Sequence, residues 1–238
     1  MRAHEILVHD GSQVSCVCLM ITGFAYRYKY LADGRRQILG YLLPGDLCDT
    51  QFVISNESDH NIALLTDSEV VMIPNHVLMG TMVEFPKIER ALLLTAVAEW
   101  AMLREWLLNV GQRAALQKLA HFFCEIAARL RAIGMVNSDG SFSLPLTQAE
   151  LADTMGLTTV HVNRIMQRFR HDGIVAWSRG RLTILNQPTL QGIAGFEGRY
   201  LHLEPASVAS GFQPHPRVTG SDSEYLEVRM PAFAPASR

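Results

Sequence analysis

Residues 146–185, LTQAELADTMGLTTVHVNRIMQRFRHDGIVAWSRGRLTIL, leave this chain few folds to choose from. Thr147-Gln148-Ala149-Glu150 is a capping box, so a helix starts there. Leu151, Ala152 and Met155 give that helix one apolar face, and Gly156 supplies a tight turn. Thr158 is a good N-cap for a second helix, in which Val162, Ile165, Met166 and Phe169 share the inward face. Thr159, Val160, His161, Asn163, Arg164 and Arg168 then face outward. Two short helices joined by a glycine-containing turn form a helix-turn-helix. Beyond Gly173, the runs 174–177 and 182–185 flank Ser178-Arg179-Gly180-Arg181, which predicts a strand–turn–strand wing with two arginines at its tip.

A helical hairpin that merely packs would explain the inward residues. It would not explain an outward face free of acid from Thr158 to Arg170, with a basic wing beside it. The whole-chain charge of −2 hides this contrast. Residues 1–85 sum to −5, while residues 161–181 carry five arginines against Asp172 alone. Double-stranded DNA is the expected partner of such a local basic face. The acidic N-terminal part should be repelled by it.

Residues 5–75 read as short strands separated by turns. The run 24–30, Phe-Ala-Tyr-Arg-Tyr-Lys-Tyr, alternates with period two as a half-buried strand does. Asp33-Gly34 joins it to the run 36–42 as a hairpin, and Pro44-Gly45-Asp46 makes a further turn. A compact antiparallel barrel or jelly roll is expected over residues 1–85. The pattern changes at Phe85-Pro86. Leu93, Ala96, Trp100, Leu103, Leu107 and Val110 are spaced three and four apart, a heptad seam on one long helix over residues 86–111. Ile88, Leu92, Met102 and Trp106 form a second strip, so one strip can pack on the barrel while the other pairs with a second copy. The plainer alternative is a helix buried within its own chain. Gly111 marks a break, and a second helix runs over residues 112–133 to Gly134. Residues 135–145 read as a polar loop. The DNA-binding part thus spans residues 112–204. Residues 205–238, with half of the ten prolines, read as a mobile tail.

Asp33-Gly34-Arg35-Arg36-Gln37-Ile38, Leu43-Pro44-Gly45-Asp46, the long helix and the helix-turn-helix with Val162-Asn163-Arg164 occur in that order. Together they resemble the Crp/Fnr superfamily of bacterial transcription regulators, over about residues 5–204. The resemblance implies an α+β chain with three parts: an N-terminal cyclic-nucleotide-binding-like β-barrel of jelly-roll type, a long dimerisation helix and a C-terminal winged helix-turn-helix. It implies a homodimer on a two-fold symmetric site. By position, Arg164 matches the arginine that reads a guanine, and Val160 and Asn163 match two other base-reading positions. Val160 stands where an acidic residue is common; a valine can touch a thymine methyl but cannot accept from cytosine. Thr147, Gln148, Thr158, Arg179 and Arg181 are expected on phosphates. The loop at 135–145 lies where family members can touch RNA polymerase.

Two departures bear on effectors. Cyclic-AMP-binding members carry an Arg-Ser/Thr pair for the phosphate where this chain has Ser58-Asp59-His60-Asn61-Ile62, and an Asp there repels phosphate. Oxygen-sensing members hold an iron–sulfur cluster on a cysteine group ahead of the barrel, and none precedes the first strand here. Neither ligand is expected. The sequence opens at what reads as an early barrel strand, which implies a trimmed barrel or an internal Met1. The four cysteines lack any CxxC, and Cys16, Cys18 and Cys124 sit in apolar runs as small hydrophobes. The residues up to Asp10 do not read as a secretory signal, and Glu99, Arg104 and Glu105 interrupt the longest apolar region. The expectation is a cytoplasmic protein with no membrane partner, cofactor or metal. Its nine histidines include no HxH pair for a cupin-type metal site, and no nucleophile elbow, Walker loop or zincin motif occurs. An enzyme is therefore not expected. His60 and His76 read as barrel-rim histidines, with a pH- or metal-sensing role as the sharper alternative.

Overall fold

The computed structural model describes residues 1–203 except 49, 54 and 56, and leaves the side chains of residues 52 and 53 undescribed. The tail expected over 205–238 lies outside the described residues. The N-terminal strands are β1 (Ile6–Val8), β2 (Cys16–Thr22), β3 (Ala25–Tyr30), β4 (Arg36–Leu42), β5 (Leu47–Cys48), β6 (Asn61–Leu64) and β7 (Glu69–Pro74). They form two antiparallel sheets, ordered β1-β6-β3-β4 and β5-β2-β7. The expected barrel is thus a jelly-roll-like pair of sheets rather than a closed ring. Val8, Ala25, Leu42, Ile62 and Leu64 from the first sheet meet Val17, Cys18, Met20 and Cys48 from the second in one buried cluster.

The other face of the first sheet is buried too. Tyr26, Tyr28, Ile38 and Tyr41 pack with the helices of the C-terminal half. Arg27 pairs with Gly40 and Tyr28 with Ile38, so Leu39 is an extra residue in β4. This bulge lets Ile38 and Tyr41, three apart, share a face that strict alternation would deny them. Tyr30, at the end of the same alternating run, stays exposed.

Helix α1 (Asn75–Glu84) follows the sheets, just beyond the strands expected over residues 5–75. Next comes α2 (Pro86–Gln112), with proline in its first turn where no donor is lost. The expected break at Gly111 does not occur. The helix runs through it and stops where Arg113 turns extended. Consequently α3 begins later than expected and spans Ala115–Ala132. Gly134 does adopt the left-handed conformation that ends it. Most of α3 is buried, and Leu119, Phe122, Phe123, Ile126 and Leu130 form the centre of the molecule.

The polar loop read over 135–145 is shorter than expected. Ser141–Ser143 form β8, with Ser141 and Phe142 buried. Then follow α4 (Gln148–Met155), α5 (Thr159–His171), β9 (Val175–Ser178), β10 (Arg181–Ile184) and α6 (Gln187–Ala194), and a 3₁₀ turn at Gly198–Leu201. The third sheet is β8-β10-β9, so the two-stranded wing gains a third strand. No helix among the described residues is long and apolar enough to cross a membrane.

Candidate nucleic-acid interface

The local caps set α4 and α5 where the sequence places them. Thr147 Oγ1 accepts from the Glu150 amide at 3.1 Å, and Glu150 Oε2 accepts from the Thr147 amide at 2.7 Å. Gly156, with φ of 64°, turns the chain out of α4 in a conformation that costs a side chain dearly. Thr158 Oγ1 then accepts from the His161 amide at 3.2 Å and opens α5. Val162, Ile165, Met166 and Phe169 are all buried, and the Phe169 ring meets Phe123 of α3 at 6.2 Å. Burying four such side chains stabilises the platform by several kcal/mol, about 1.5–3 kcal/mol each.

The opposite face of α5 is in water. Thr158, Thr159, Val160, His161, Asn163, Arg164 and Arg168 are all exposed. Val160 is 68% exposed, which serves no packing purpose. Asn163 Nδ2 donates to Gln148 Oε1 at 3.1 Å, joining the two helices along this face, while Thr147 stays exposed at the start of α4. At the far end Asp172 lies 3.6 Å from Arg168 Nε and 2.9 Å from His171 Nδ1. His171, and then Arg168, hold the Asp172 carboxyl below its usual range. The basic run is therefore partly neutralised at its C-terminal end, and Arg164 lies one turn nearer the N-terminus.

The wing turn is Arg179-Gly180, with φ of 51° and 72°. Two successive positive φ values give the twist that two-residue hairpins need. The two arginines do different things. Arg179 stands at the tip, whereas Arg181 Nη1 reaches back to donate to Ser141 Oγ of β8 at 3.1 Å. Asp139 lies close enough to feel Arg181, although its carboxyl is held down chiefly by its hydrogen bonds to Ser141.

One polar network had no signal in the local patterns. Arg36 on β4 donates from Nε to Asp153 Oδ2 of α4 at 2.8 Å, and from Nη1 to the Tyr26 hydroxyl at 3.1 Å. Its guanidinium lies 5.4 Å from the Tyr26 ring centroid. Gln37 Nε2 donates to the Thr154 carbonyl at 3.1 Å, and the Tyr41 and Thr154 hydroxyls bond at 2.7 Å. Thus the sheet grips the first helix of the helix-turn-helix directly. Nearby, Arg129 of α3 donates to Asp46 at 2.6 Å and to the Tyr41 carbonyl at 3.1 Å.

The seam residues of α2 remain uncovered within the chain. Leu93, Trp100, Leu103 and Leu107 are exposed, Trp100 at 61% and Leu107 at 76%, and Ala96 and Val110 are half-buried. Of the second strip, Leu92 packs on the sheets and Trp106 on the central core, where it donates to Glu125 at 2.8 Å. Ile88 stays exposed.

A cavity of about 230 Å³ opens between the first sheet, α2 and α3. Arg27, Asp59, His60, Glu99 and Arg129 all reach its wall. Arg27 is bound to Glu99 at 2.9 Å and Arg129 to Asp46, so carboxylates already neutralise both guanidiniums. The His60 ring pairs with Asp59 at 2.7 Å, an interaction that depresses the Asp59 pKa and keeps it anionic. His76, by contrast, is exposed on α1.

An α+β chain that sets a jelly-roll-like sheet pair against a winged helix-turn-helix, with a long helix between, has the architecture of a DNA-binding regulator. A Crp-like helix-turn-helix domain model matches residues 117–193, and a cyclic nucleotide-binding domain model matches residues 1–84. A Rhizobium leguminosarum bv. viciae protein named "Probable transcriptional activator" is 34% identical over 71% of this chain and 69% of its own length. Transcriptional activator protein FnrL of Cereibacter sphaeroides is 30% identical over 77% of this chain and 74% of FnrL. The structure of FixK2 from Bradyrhizobium japonicum has the same fold, with a TM-score of 0.72 at 22% identity over 81% of this chain and 93% of FixK2. The chain belongs to the Crp/Fnr superfamily, whose members are transcription regulators with a helix-turn-helix DNA-binding domain and not enzymes.

Proposed function

We propose that this chain is a cytoplasmic, sequence-specific transcription regulator that binds a two-fold symmetric DNA site as a homodimer, without cyclic AMP or an iron–sulfur cluster. The observation that carries this reading is the outward face of α5, which offers Arg164, Asn163 and Val160 to solvent and no acid. Lying in the major groove, α5 would present Arg164 for a bidentate contact with guanine. Asn163 and Val160 would meet neighbouring base edges. Thr147, Gln148, Thr158 and Arg179 would hold phosphates, with Arg181 in a supporting place at the wing. The half-sites would lie about one helical turn apart.

Dimerisation is supported by the uncovered apolar stripe on α2, since contiguous exposed apolar surface of this kind marks a partner. Independence from cyclic AMP is supported by the anionic Asp59 and the two neutralised arginines in the cavity. Among the described residues no three His, Cys, Asp or Glu side chains are placed to hold a metal. A polymerase contact through the loop ahead of β8 would be confined to residues 135–140, because Ser141 is buried.

The test is a binding assay of Arg164→Ala on a specific duplex and on random duplexes. Loss of the bidentate pair should cost about 1–3 kcal/mol on the specific site only. Equal losses on both would remove Arg164 from base reading.

A further inference from the structure

The register of the second sheet brings two thiols face to face. Cys18 on β2 pairs directly with Cys48 on β5, next to the Leu19–Leu47 pair. Opposed residues in an antiparallel pair have Cα atoms about 4.5–5.5 Å apart. A disulfide needs roughly 4.4–6.8 Å. Both side chains point into the same buried cluster, and all four cysteines are thiols. Sulfur crowds this spot further, with Met72 Sδ 3.2 Å from Cys18 Sγ. Cys16 lies two residues along the same strand face and is half-buried. Strand rise puts its Cα about 6.6 Å from that of Cys18, at the far end of the disulfide range. Cys48 is therefore the better-placed partner of Cys18.

Access is the condition that a buried thiol must meet. Strand β5 is two residues long and lies at the edge of its sheet, next to β2. Segments with few neighbours and exposed backbone hydrogen bonds open locally at less cost than central strands. We propose that Cys18 and Cys48 form a redox-active dithiol, which a hydroperoxide converts to a cross-strand disulfide that staples β5 to β2. One sulfur attacks a peroxide oxygen, the O–O bond breaks, and water leaves behind a sulfenic acid. The second thiol attacks that sulfur, the S–O bond breaks, the S–S bond forms, and a second water leaves. Two thiols are oxidised and one hydroperoxide is reduced. With hydrogen peroxide both products are water; with an organic hydroperoxide one is the alcohol.

The staple lies two residues from Asp46, whose carboxylate holds Arg129 of α3. Oxidation therefore stiffens one of the contacts between the sheets and the DNA-binding half. This assignment stands apart from the DNA-binding reading and needs no DNA for its test.

Purified full-length protein is treated with hydrogen peroxide, unfolded without reductant, and titrated for thiols. Two of the four thiols should disappear and return with dithiothreitol. Peptide mapping should link the Cys16/Cys18 peptide to the Cys48 peptide. Cys16→Ala should keep the link, while Cys18→Ala and Cys48→Ala should abolish it. The oxidised wild-type protein should melt about 5 °C higher than the reduced form. Retention of all four thiols in the wild-type protein, a link through Cys124, or a link lost in Cys16→Ala would each overturn the proposal. Should a variant fail to fold, the wild-type thiol count and map decide alone.

Discussion

Helices α2 and α5 are both amphipathic, yet they leave opposite faces in water. Helix α5 buries Val162, Ile165, Met166 and Phe169 and exposes polar and basic side chains. Helix α2 buries little and exposes Leu93, Trp100, Leu103 and Leu107. An exposed arginine costs nothing in water, and its surroundings decide what it meets. An exposed leucine row does cost, about 25 cal/mol for each Å² left wet, and that cost is relieved only by another apolar surface. In both helices the buried face accounts for the fold, and the unburied face points to the partner: DNA for α5, and for α2 the second copy proposed above.

The largest effect should follow from spoiling the α2 stripe. Trp100→Glu combined with Leu103→Glu should give a monomer on gel filtration and lower affinity for a two-half-site duplex by at least about 100-fold, because linked half-site binding is lost. Unchanged mass and affinity would return α2 to the intrachain alternative.

His121 tests how α2 is joined to α3. It sits on α3, buried, 3.2 Å from Glu105 of α2 and stacked on Tyr200 at 5.9 Å. Burial, then the Arg113 charge, push its pKa down to about 4. The unfolded imidazole takes up a proton near pH 6.5, whereas the folded one resists until about pH 4. Stability should therefore fall as pH drops through that window, on the order of 2 kcal/mol. Melting curves at pH 7.5 and 5 should show the loss, and His121→Gln should shrink it. A loss of the same size in the variant would assign it elsewhere.

The smallest effect belongs to the wing. Arg179→Ala should weaken binding a few-fold on all duplexes alike and reduce the salt slope by about 1. A sequence-dependent loss would make Arg179 a base reader, which would blur the contrast between wing and recognition helix.

Where structure is set by local chemistry, it was legible in the sequence. The Thr147–Glu150 box, Gly156, the Thr158 cap and the Asp33-Gly34 turn each act within four residues, and each appears as expected. Where neighbours decide, it was not. Helix α1 has apolar residues all round and buries only Leu78, so it offers no helical period to read. Strand β8 is Ser-Phe-Ser in a turn-rich stretch, and it forms because β10 presents an edge. Gly111 looked like a stop, but a helix tolerates one glycine at about 1 kcal/mol when packing continues past it. Helix α6 was missed although its signals are local: Asn186 caps Thr189, and Gly195 is left-handed at the end. The Arg36–Asp153 network joins residues 117 positions apart, which no window along one sequence can connect. In the candidate interface, the outward residues of α5 were legible because its inward residues were. The turning back of Arg181 onto β8 was not, since β8 itself was unseen.

The most direct measurement is selection of bound duplexes from a fully random pool by the purified full-length protein. The predicted outcome is one enriched motif with two-fold symmetry and half-sites about one helical turn apart, each containing a guanine that becomes dispensable in Arg164→Ala. An asymmetric single-half motif, or no enrichment over the starting pool, would contradict a dimer that reads DNA through α5.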